Sequence, residues 1–240
     1  LKVQAGKLQT VANLLTGLDN FAFNDKDEIF VSSYADGSIL KINGDKTEEI
    51  LPGGISHPGG LAVHKDNLVV ADIQSVRSFN INNRNQDWVL RNIFRSSPLG
   101  ANTSAAILDD HILLTSWVDN TVKILNPESG KIIKSFEGLN IPVSAAKFND
   151  SYVVALHGNS SISILKDDGS LDILSDEFDS PTHVIPYKDG FLVSDRNRGE
   201  IIEVSSSGDT DTFISGLDSP EGIALIDDTL FVYEGDTGEI

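Results

Sequence analysis

Residues able to bind a cation or a polar ligand stand at aligned positions that recur in this chain about every 39 residues, although other residue types occupy some copies. One group stands just after a proline, or where the proline would be: Asn20, Gly59, Thr103, Val143, Thr182 and Glu221. A second group ends the next strand-like segment: Ser33, Asp72, Ser116, Leu156, Asp195 and Glu234. The residues that follow the second group are Tyr34, Ile73, Trp117, His157, Arg196 and Gly235. Carboxylate and amide oxygens are ligands for hard cations such as Ca²⁺, and histidines can transfer protons.

The elements that must position these residues are given by an internal repeat. Pro142, Pro181 and Pro220 are 39 residues apart, and related segments extend the pattern to six copies. The residues two positions after the proline are Phe21, Gly60, Ser104, Ser144, His183 and Gly222, spaced by 39, 44, 40, 39 and 39. Each copy has a short apolar run, a polar turn and a β-branched run, followed by two further alternating runs. This pattern predicts four strands per copy, and four strands in about 40 residues are typical of a propeller blade.

We therefore predict an all-β fold: a six-bladed β-propeller of four-stranded antiparallel blades, with residues 1–240 as a single domain. The last copy is incomplete: 18 residues follow Gly222 up to Ile240, and the 21 residues from Leu1 to Phe21 bring the spacing between Gly222 and Phe21 to 39. The propeller is thus expected to be closed by an N-terminal strand that pairs with the C-terminal blade, which removes an open sheet edge. A β-sandwich with coincidental spacing is the alternative.

Within a blade the first and second strands are antiparallel neighbours, so the start of one and the end of the other lie at the same end of the sheet. In a ring of blades these positions converge on one mouth of the central channel. We predict a divalent-metal site there, formed by Glu221, Asp195, Asn20 and Glu234. A ligand-binding surface is predicted beside it, formed by Asp72, His183, Trp117, Tyr34, Arg196 and His157.

Structural roles are open for several of these residues. Asp72 and Asp195 stand at the end of a blade's second strand, where aspartate commonly bonds to the backbone of the following turn. The alternative for Arg196 is an ion pair with Asp195 or Glu234, and the alternative for His183 is a place in the core. Trp117 and Tyr34 suit either an aromatic wall for a ligand or packing between blades.

Two short motifs carry a family resemblance. The segment "HPGGLAVHKDNLVVADIQSVRSFNI" resembles the NHL repeat, and "SPEGIA" is similar to the Pro-Glu-Gly signature of the SMP-30/gluconolactonase family. Both families form six-bladed propellers. The resemblance implies a metal-binding role for Glu221, which matches the glutamate of that signature. Asn20, and either Asp195 or Asp72, match further ligands by register alone.

Composition excludes several classes of function. Thirty-six acidic against eighteen basic residues give a net charge of −18, which disfavours nucleic acid. No cysteine is present, so thiol nucleophiles and cysteinate zinc sites are excluded. No apolar run is long enough to span a membrane. The first residue is Leu1 and methionine is absent, which slightly favours a leader peptide removed on export to the periplasm or outside the cell.

These observations lead to a binding module for a small molecule, glycan or protein at the acidic mouth, with a possible divalent cation, most simply Ca²⁺, and no organic cofactor. The alternative is a metal-dependent lactonase, in which the cation polarises a carbonyl and a carboxylate or His183 acts as base. A lyase resembling the streptogramin-inactivating propellers is a third hypothesis.

Overall fold

The structure is a computed structural model that describes residues 2–4, 7–10, 18–33, 35–43, 46–51, 53–73, 75–91, 105–108, 111–226 and 228–235. Its chain contacts group into two compact units. The N-terminal unit is Gly17–Glu137, and the C-terminal unit is Gly138–Ile240 together with Leu1–Thr16. None of the described residues belongs to a helix that could cross a membrane.

The N-terminal unit contains three four-stranded antiparallel sheets, each formed by consecutive strands. The first sheet is β3 (Leu18–Phe23), β4 (Ile29–Ser33), β5 (Ile39–Asn43) and β6 (Lys46–Leu51). The second is β7 (Gly60–His64), β8 (Asn67–Ala71), β9 (Ser75–Asn80) and β10 (Gln86–Arg91). The third is β11 (Ala105–Leu108), β12 (His111–Ser116), β13 (Thr121–Leu125) and β14 (Ile132–Phe136).

The C-terminal unit contains two more sheets of consecutive strands and one composite sheet. The first is β15 (Pro142–Phe148), β16 (Ser151–Leu156), β17 (Ser161–Leu165) and β18 (Leu171–Ser175), with a 3₁₀ turn at His157–Asn159. The second is β19 (Pro181–Tyr187), β20 (Gly190–Asp195), β21 (Glu200–Val204) and β22 (Thr210–Ser215). The composite sheet combines β23 (Pro220–Ile226) and β24 (Thr229–Glu234) with β1 (Lys2–Gln4) and β2 (Lys7–Gln9).

The number of blades differs from the prediction. Five blades consist of four consecutive strands, one fewer than the six predicted. In the composite sheet, β1 pairs antiparallel with β24 through Lys2↔Phe231 and Val3↔Leu230, and β2 pairs with β1. Among the described residues, these two pairs join β1 to β24.

Strand formation follows the alternation read from the sequence. In three blades, a two-residue loop joins the first strand to the second: β7 to β8, β15 to β16 and β19 to β20. The first residue of each loop has a positive, left-handed φ, and these residues are Lys65, Asn149 and Lys188. These are the polar turns that the repeat predicted. Successive side chains of a strand point to opposite faces, so each second strand can supply two cores.

Cores lie between neighbouring sheets of the same unit. In the C-terminal unit, Phe191 and Val193 of β20 pack with Val153 and Ile162 of the preceding blade. Leu192, between them in sequence, packs on the opposite face with Ile223 and Val232 of the composite sheet. The alternation therefore fixes each sheet against both of its neighbours within the unit.

Candidate functional site

The start of the first strand and the end of the second meet in each sheet of the C-terminal unit, as predicted. The cross-strand pairs are Pro142↔Leu156, Pro181↔Asp195 and Pro220↔Glu234. In all three sheets the register shifts just after the proline, so the post-proline residue lies in a bulge: Val143, Thr182 and Glu221. A β-bulge redirects a side chain out of the regular ladder, which is how Glu221 is presented at this end.

The residue after each second strand is held by the same backbone hydrogen bond in all three sheets. An amide donates to the carbonyl of the residue before the proline: His157 to Ile141 (3.0 Å), Arg196 to Ser180 (2.9 Å) and Gly235 to Ser219 (3.0 Å). The repeat of 39 residues thus places His157, Arg196 and Gly235 at equivalent positions. We call this end of the C-terminal unit the proline face.

Asp195, predicted as a metal ligand, is fully buried and occupied by protein donors. Its Oδ2 accepts from the Asp179 amide (2.7 Å) and its Oδ1 from the Ser180 amide (2.9 Å). The Arg198 guanidinium lies 3.6 Å from Oδ2. These two bonds pin the loop before β19, whereas the expected bond to the following turn comes from the Arg198 amide, 3.4 Å from Oδ1.

Glu234 performs the same task in the composite sheet. It is buried, and its Oε1 accepts from the Asp218 amide at 2.9 Å. Asp218 lies 39 residues after Asp179, so the bond is the repeat equivalent of the one made by Asp195. The predicted clustering of free carboxylates at this end is therefore replaced by two loop-fixing acids.

Glu221 and Arg196 form an ion pair on the proline face. Arg196 Nε lies 3.4 Å from Glu221 Oε1, and their side chains are 44% and 22% exposed. The pair links the blade of β19–β22 to the composite sheet. A surface ion pair of this kind contributes little to stability, so its presence there does not follow from folding alone.

The position of Glu221 is set by small and hydroxyl residues around it. A Cβ placed on Gly235 would stand 2.8 Å from Glu221 Oε1, so glycine at 235 leaves the room that the carboxylate occupies. The Ser194 hydroxyl donates to the Glu221 carbonyl at 2.7 Å, and it lies 2.9 Å from the Thr182 hydroxyl. These contacts fix the backbone of the bulge.

The backbone of His183 lies near the same hydroxyl, since Ser194 Oγ is 3.5 Å from the His183 carbonyl oxygen. Burial lowers the pKa of His183 from 6.5 to about 4, since the surroundings disfavour the imidazolium. The imidazole is therefore neutral at pH 7, with one donor and one acceptor nitrogen. His157, in contrast, is exposed, and its Nδ1 lies 3.5 Å from Ser180 Oγ.

The remaining predicted residues belong to the N-terminal unit. Asn20 is buried and its Oδ1 accepts from the Phe21 amide at 2.8 Å. Asp72 is buried and accepts from the amide and hydroxyl of Ser75, with Arg77 at 3.2 Å. Trp117 is 37% exposed. Tyr34 lies outside the described residues.

The predicted metal ligands do not fit a divalent cation as the structure places them. Among the described parts of the chain, no three His, Asp or Glu side chains are grouped as a metal site requires. Asp195 and Glu234 accept backbone amides, Glu221 faces Arg196, and the Asn20 oxygen is used locally. A bound Ca²⁺ takes six to eight oxygen ligands, so several of these bonds would have to break.

Sequence reasoning missed the residues that support Glu221. Ser194, Thr182 and Gly235 carry no motif of their own. Ser194 precedes Asp195, Gly235 follows Glu234 and Thr182 follows Pro181, so the repeat alignment contained their positions but gave no reason to choose them.

These sheets define a β-propeller of four-stranded antiparallel blades, and structural comparisons support this class. A glucose dehydrogenase-type oxidoreductase of Thermus thermophilus superposes with a TM-score of 0.79 at 13% identity, over 96% of this chain and 94% of that one. The WD40 propeller domain of Doa1 gives 0.70 at 16% identity, over 96% and 83%. Virginiamycin B lyase of Staphylococcus aureus gives 0.68 at 15% identity, over 93% and 80%.

Such likenesses show the fold alone. No protein-family model matches the chain, and no curated protein matches its sequence. Because an oxidoreductase, a lyase and a WD40 domain share this architecture, function has to be argued from the residues of the site.

Proposed function

We propose that this chain is a ligand-binding propeller whose binding site lies on the proline face, centred on Arg196 and Glu221. The observation that carries the proposal is the partly exposed Arg196–Glu221 ion pair. Glu221 lies in a bulge, its carbonyl accepts a hydrogen bond from the Ser194 hydroxyl, and Gly235 leaves room for its carboxylate. Its surroundings preorganise two opposite charges at a surface where stability alone does not require them.

The chemistry of the two side chains suits a polar ligand that both donates and accepts hydrogen bonds. Arg196 offers a planar fork of donors, and Glu221 offers acceptors. A small polar molecule, a glycan or a polar protein surface meets this requirement. A polyanion does not, because the chain carries a net charge of −18.

Thermal unfolding against a defined panel tests the proposal. The probes are free monosaccharides, short neutral peptides and small carboxylic acids, each applied to the wild-type chain, Arg196→Gln and Glu221→Gln. A ligand at a hundredfold excess over its Kd stabilises the folded state by about 2.7 kcal/mol, which raises Tm by several degrees. We expect a probe that raises Tm in the wild type and not in either variant.

Arg198→Gln is the matched control. Arg198 lies in the same blade, is 42% exposed and also faces a carboxylate, but that carboxylate is the loop-fixing Asp195. Its substitution should leave the ligand response intact. A response lost equally in all three variants, or retained in Arg196→Gln and Glu221→Gln, would place the site elsewhere.

Metal-dependent lactonase activity, the alternative function, rests on the resemblance of "SPEGIA" to its family signature and stays a prediction. Titration with Ca²⁺, Mn²⁺ and Zn²⁺ separates it from the binding function. A metal that raises the Tm of the wild type but not of Glu221→Gln would favour lactonase activity, since Glu221 would then bind the metal ion in place of Arg196. An equal rise in Tm in both proteins would count against lactonase activity.

We further propose that the composite sheet serves as a sixth blade, closed by the pairing of β1 with β24. Its four antiparallel strands repeat the blade pattern, and β23 and β24 share a core with β20. Val3→Pro removes a backbone donor from β1. If β1 completes a blade, amides of β24 should exchange hydrogen faster in this variant, whereas unchanged exchange would count against it.

A further inference from the structure

The outer strand β18 has an open edge. It is the last strand of its sheet, and no strand among the described residues pairs with its outer side. Leu171 and Ile173 on this strand are 37% and 63% exposed. They are two residues apart and so lie on the same face of the strand.

The next blade shows that the fold does not require these apolar side chains. Thr210 and Thr212 of β22 lie 39 residues after Leu171 and Ile173. Their registers are equivalent, since Leu171 and Ile173 pair with Leu165 and Ser163, and Thr210 and Thr212 pair with Val204 and Ile202. The same architectural position is thus built with threonine in one blade and with exposed leucine and isoleucine in the other.

Natural proteins usually protect such an edge with lysine, proline or a bulge that turns it away. β18 contains no lysine or proline, and its bulge and the approach of Gly208 from the next blade both lie at Leu174, beyond the two apolar positions. A leucine and an isoleucine in solvent, on an edge that no described strand pairs with, favour the addition of another strand.

Acidic residues surround the edge. Within residues 166–177 the exposed acids are Asp167, Asp168, Asp172, Asp176 and Glu177, against the single base Lys166. Lys166 already pairs with Asp172. The surface therefore combines an apolar pair with a strongly negative border, which complements a segment that is both apolar and basic.

We propose that β18 is a docking edge for an extended, basic segment of a partner protein. The segment adds to the sheet as a further strand through main-chain hydrogen bonds. Its apolar residues pack beside Leu171 and Ile173, and its lysines or arginines lie near the acidic border. This surface is separate from the proline face, so the proposal does not depend on the binding site described there.

A short peptide that alternates lysine with isoleucine serves as the probe, and one that alternates glutamate with isoleucine is the charge control. Binding is measured by fluorescence anisotropy at two salt concentrations. We expect the basic peptide to bind, to weaken as salt rises, and to protect the amides of β18 from hydrogen exchange. The acidic peptide should bind at least about tenfold more weakly, a difference of about 1.4 kcal/mol.

The matched variant replaces Leu171 and Ile173 together by threonine, the residues that the neighbouring blade carries. It should weaken binding of the basic peptide by about tenfold or more. Leu225→Thr is the control, because Leu225 is also 37% exposed but lies on β23. Hydrogen exchange of the wild type, with and without peptide, provides a readout that needs no variant.

Several results would overturn the proposal: no binding of the basic peptide, equal binding of the acidic peptide, protection of amides elsewhere than β18, or unchanged affinity in the double threonine variant. Self-association of the chain through β18 would also overturn it, since the occupant would then be a second copy.

Discussion

The buried setting of His183 predicts a specific dependence of stability on pH. The His183 pKa falls from 6.5 to about 4 because burial disfavours the charged imidazole. Between these two values the unfolded chain binds a proton that the folded chain does not, so the free energy of unfolding rises with pH through this window. Stability is fully present above about pH 6.5 and is lost as the pH falls toward about pH 4.

The size of the effect follows from the shift. A difference of about 2.5 pKa units corresponds to about 3 kcal/mol. His183 keeps part of its surface in solvent, which lowers the free-energy cost of protonating it in the folded state. We therefore expect acidification to lower the free energy of unfolding by about 1–2 kcal/mol through this residue. Replacing the imidazole by the neutral amide of His183→Gln removes the titration without introducing a charge.

The assay is urea unfolding of the wild type and of His183→Gln at about pH 7.5 and about pH 4.5. Other titrating groups contribute equally to both proteins and cancel in the difference. The wild type should lose about 1–2 kcal/mol more than the variant on acidification. His157→Gln is the control, because His157 is exposed, and it should follow the wild type. Parallel losses in the wild type and His183→Gln would refute the reasoning.

Two further predictions concern residues that hold the blades together. Asp195→Ala leaves the Asp179 and Ser180 amides without their acceptor and should lower the free energy of unfolding by about 2–4 kcal/mol in urea titration. Asp176 is exposed, so Asp176→Ala should change the free energy of unfolding by less than about 0.5 kcal/mol. Equal effects of the two substitutions would contradict the loop-fixing role of Asp195. Gly130→Ala places a Cβ 2.4 Å from the Trp88 ring at a φ of +67°, and should cost more than Gly138→Ala, at a φ of +76° with nothing within 4 Å. The backbone term alone is about 1 kcal/mol, so a similar loss in both variants would mean that the ring moves away freely.

Prediction from sequence succeeded where the cause was local. The turns at Lys65, Asn149 and Lys188 were read from polar residues between apolar runs, and the structure closes hairpins there. Antiparallel pairing then required Pro181 to meet Asp195 and Pro220 to meet Glu234, which the ladders confirm. Five blades of consecutive strands are found where six blades were predicted, because the last copy depends on a pairing between distant chain ends.

The candidate site was predicted less well, for an electrostatic reason. The sequence places carboxylates at one end of the sheets but does not show which donors form hydrogen bonds with them. Asp195 and Glu234 accept hydrogen bonds from amides of the loops before β19 and β23, while Glu221 lies in a bulge and pairs with Arg196. Residues of one type, at one end of the fold, therefore have different roles.

The sequence by itself determined the repeat, the strands and the end of each sheet at which chemistry-bearing residues gather, because alternation and turn chemistry act over a few neighbouring residues. Only the tertiary structure decided which partner each of these residues has. Asp195 and Glu234 accept hydrogen bonds from amides 15 and 16 residues away in the sequence, and Gly235 leaves the space that the Glu221 carboxylate occupies. Burial of polar groups demands partners, and the partners are chosen by packing in three dimensions.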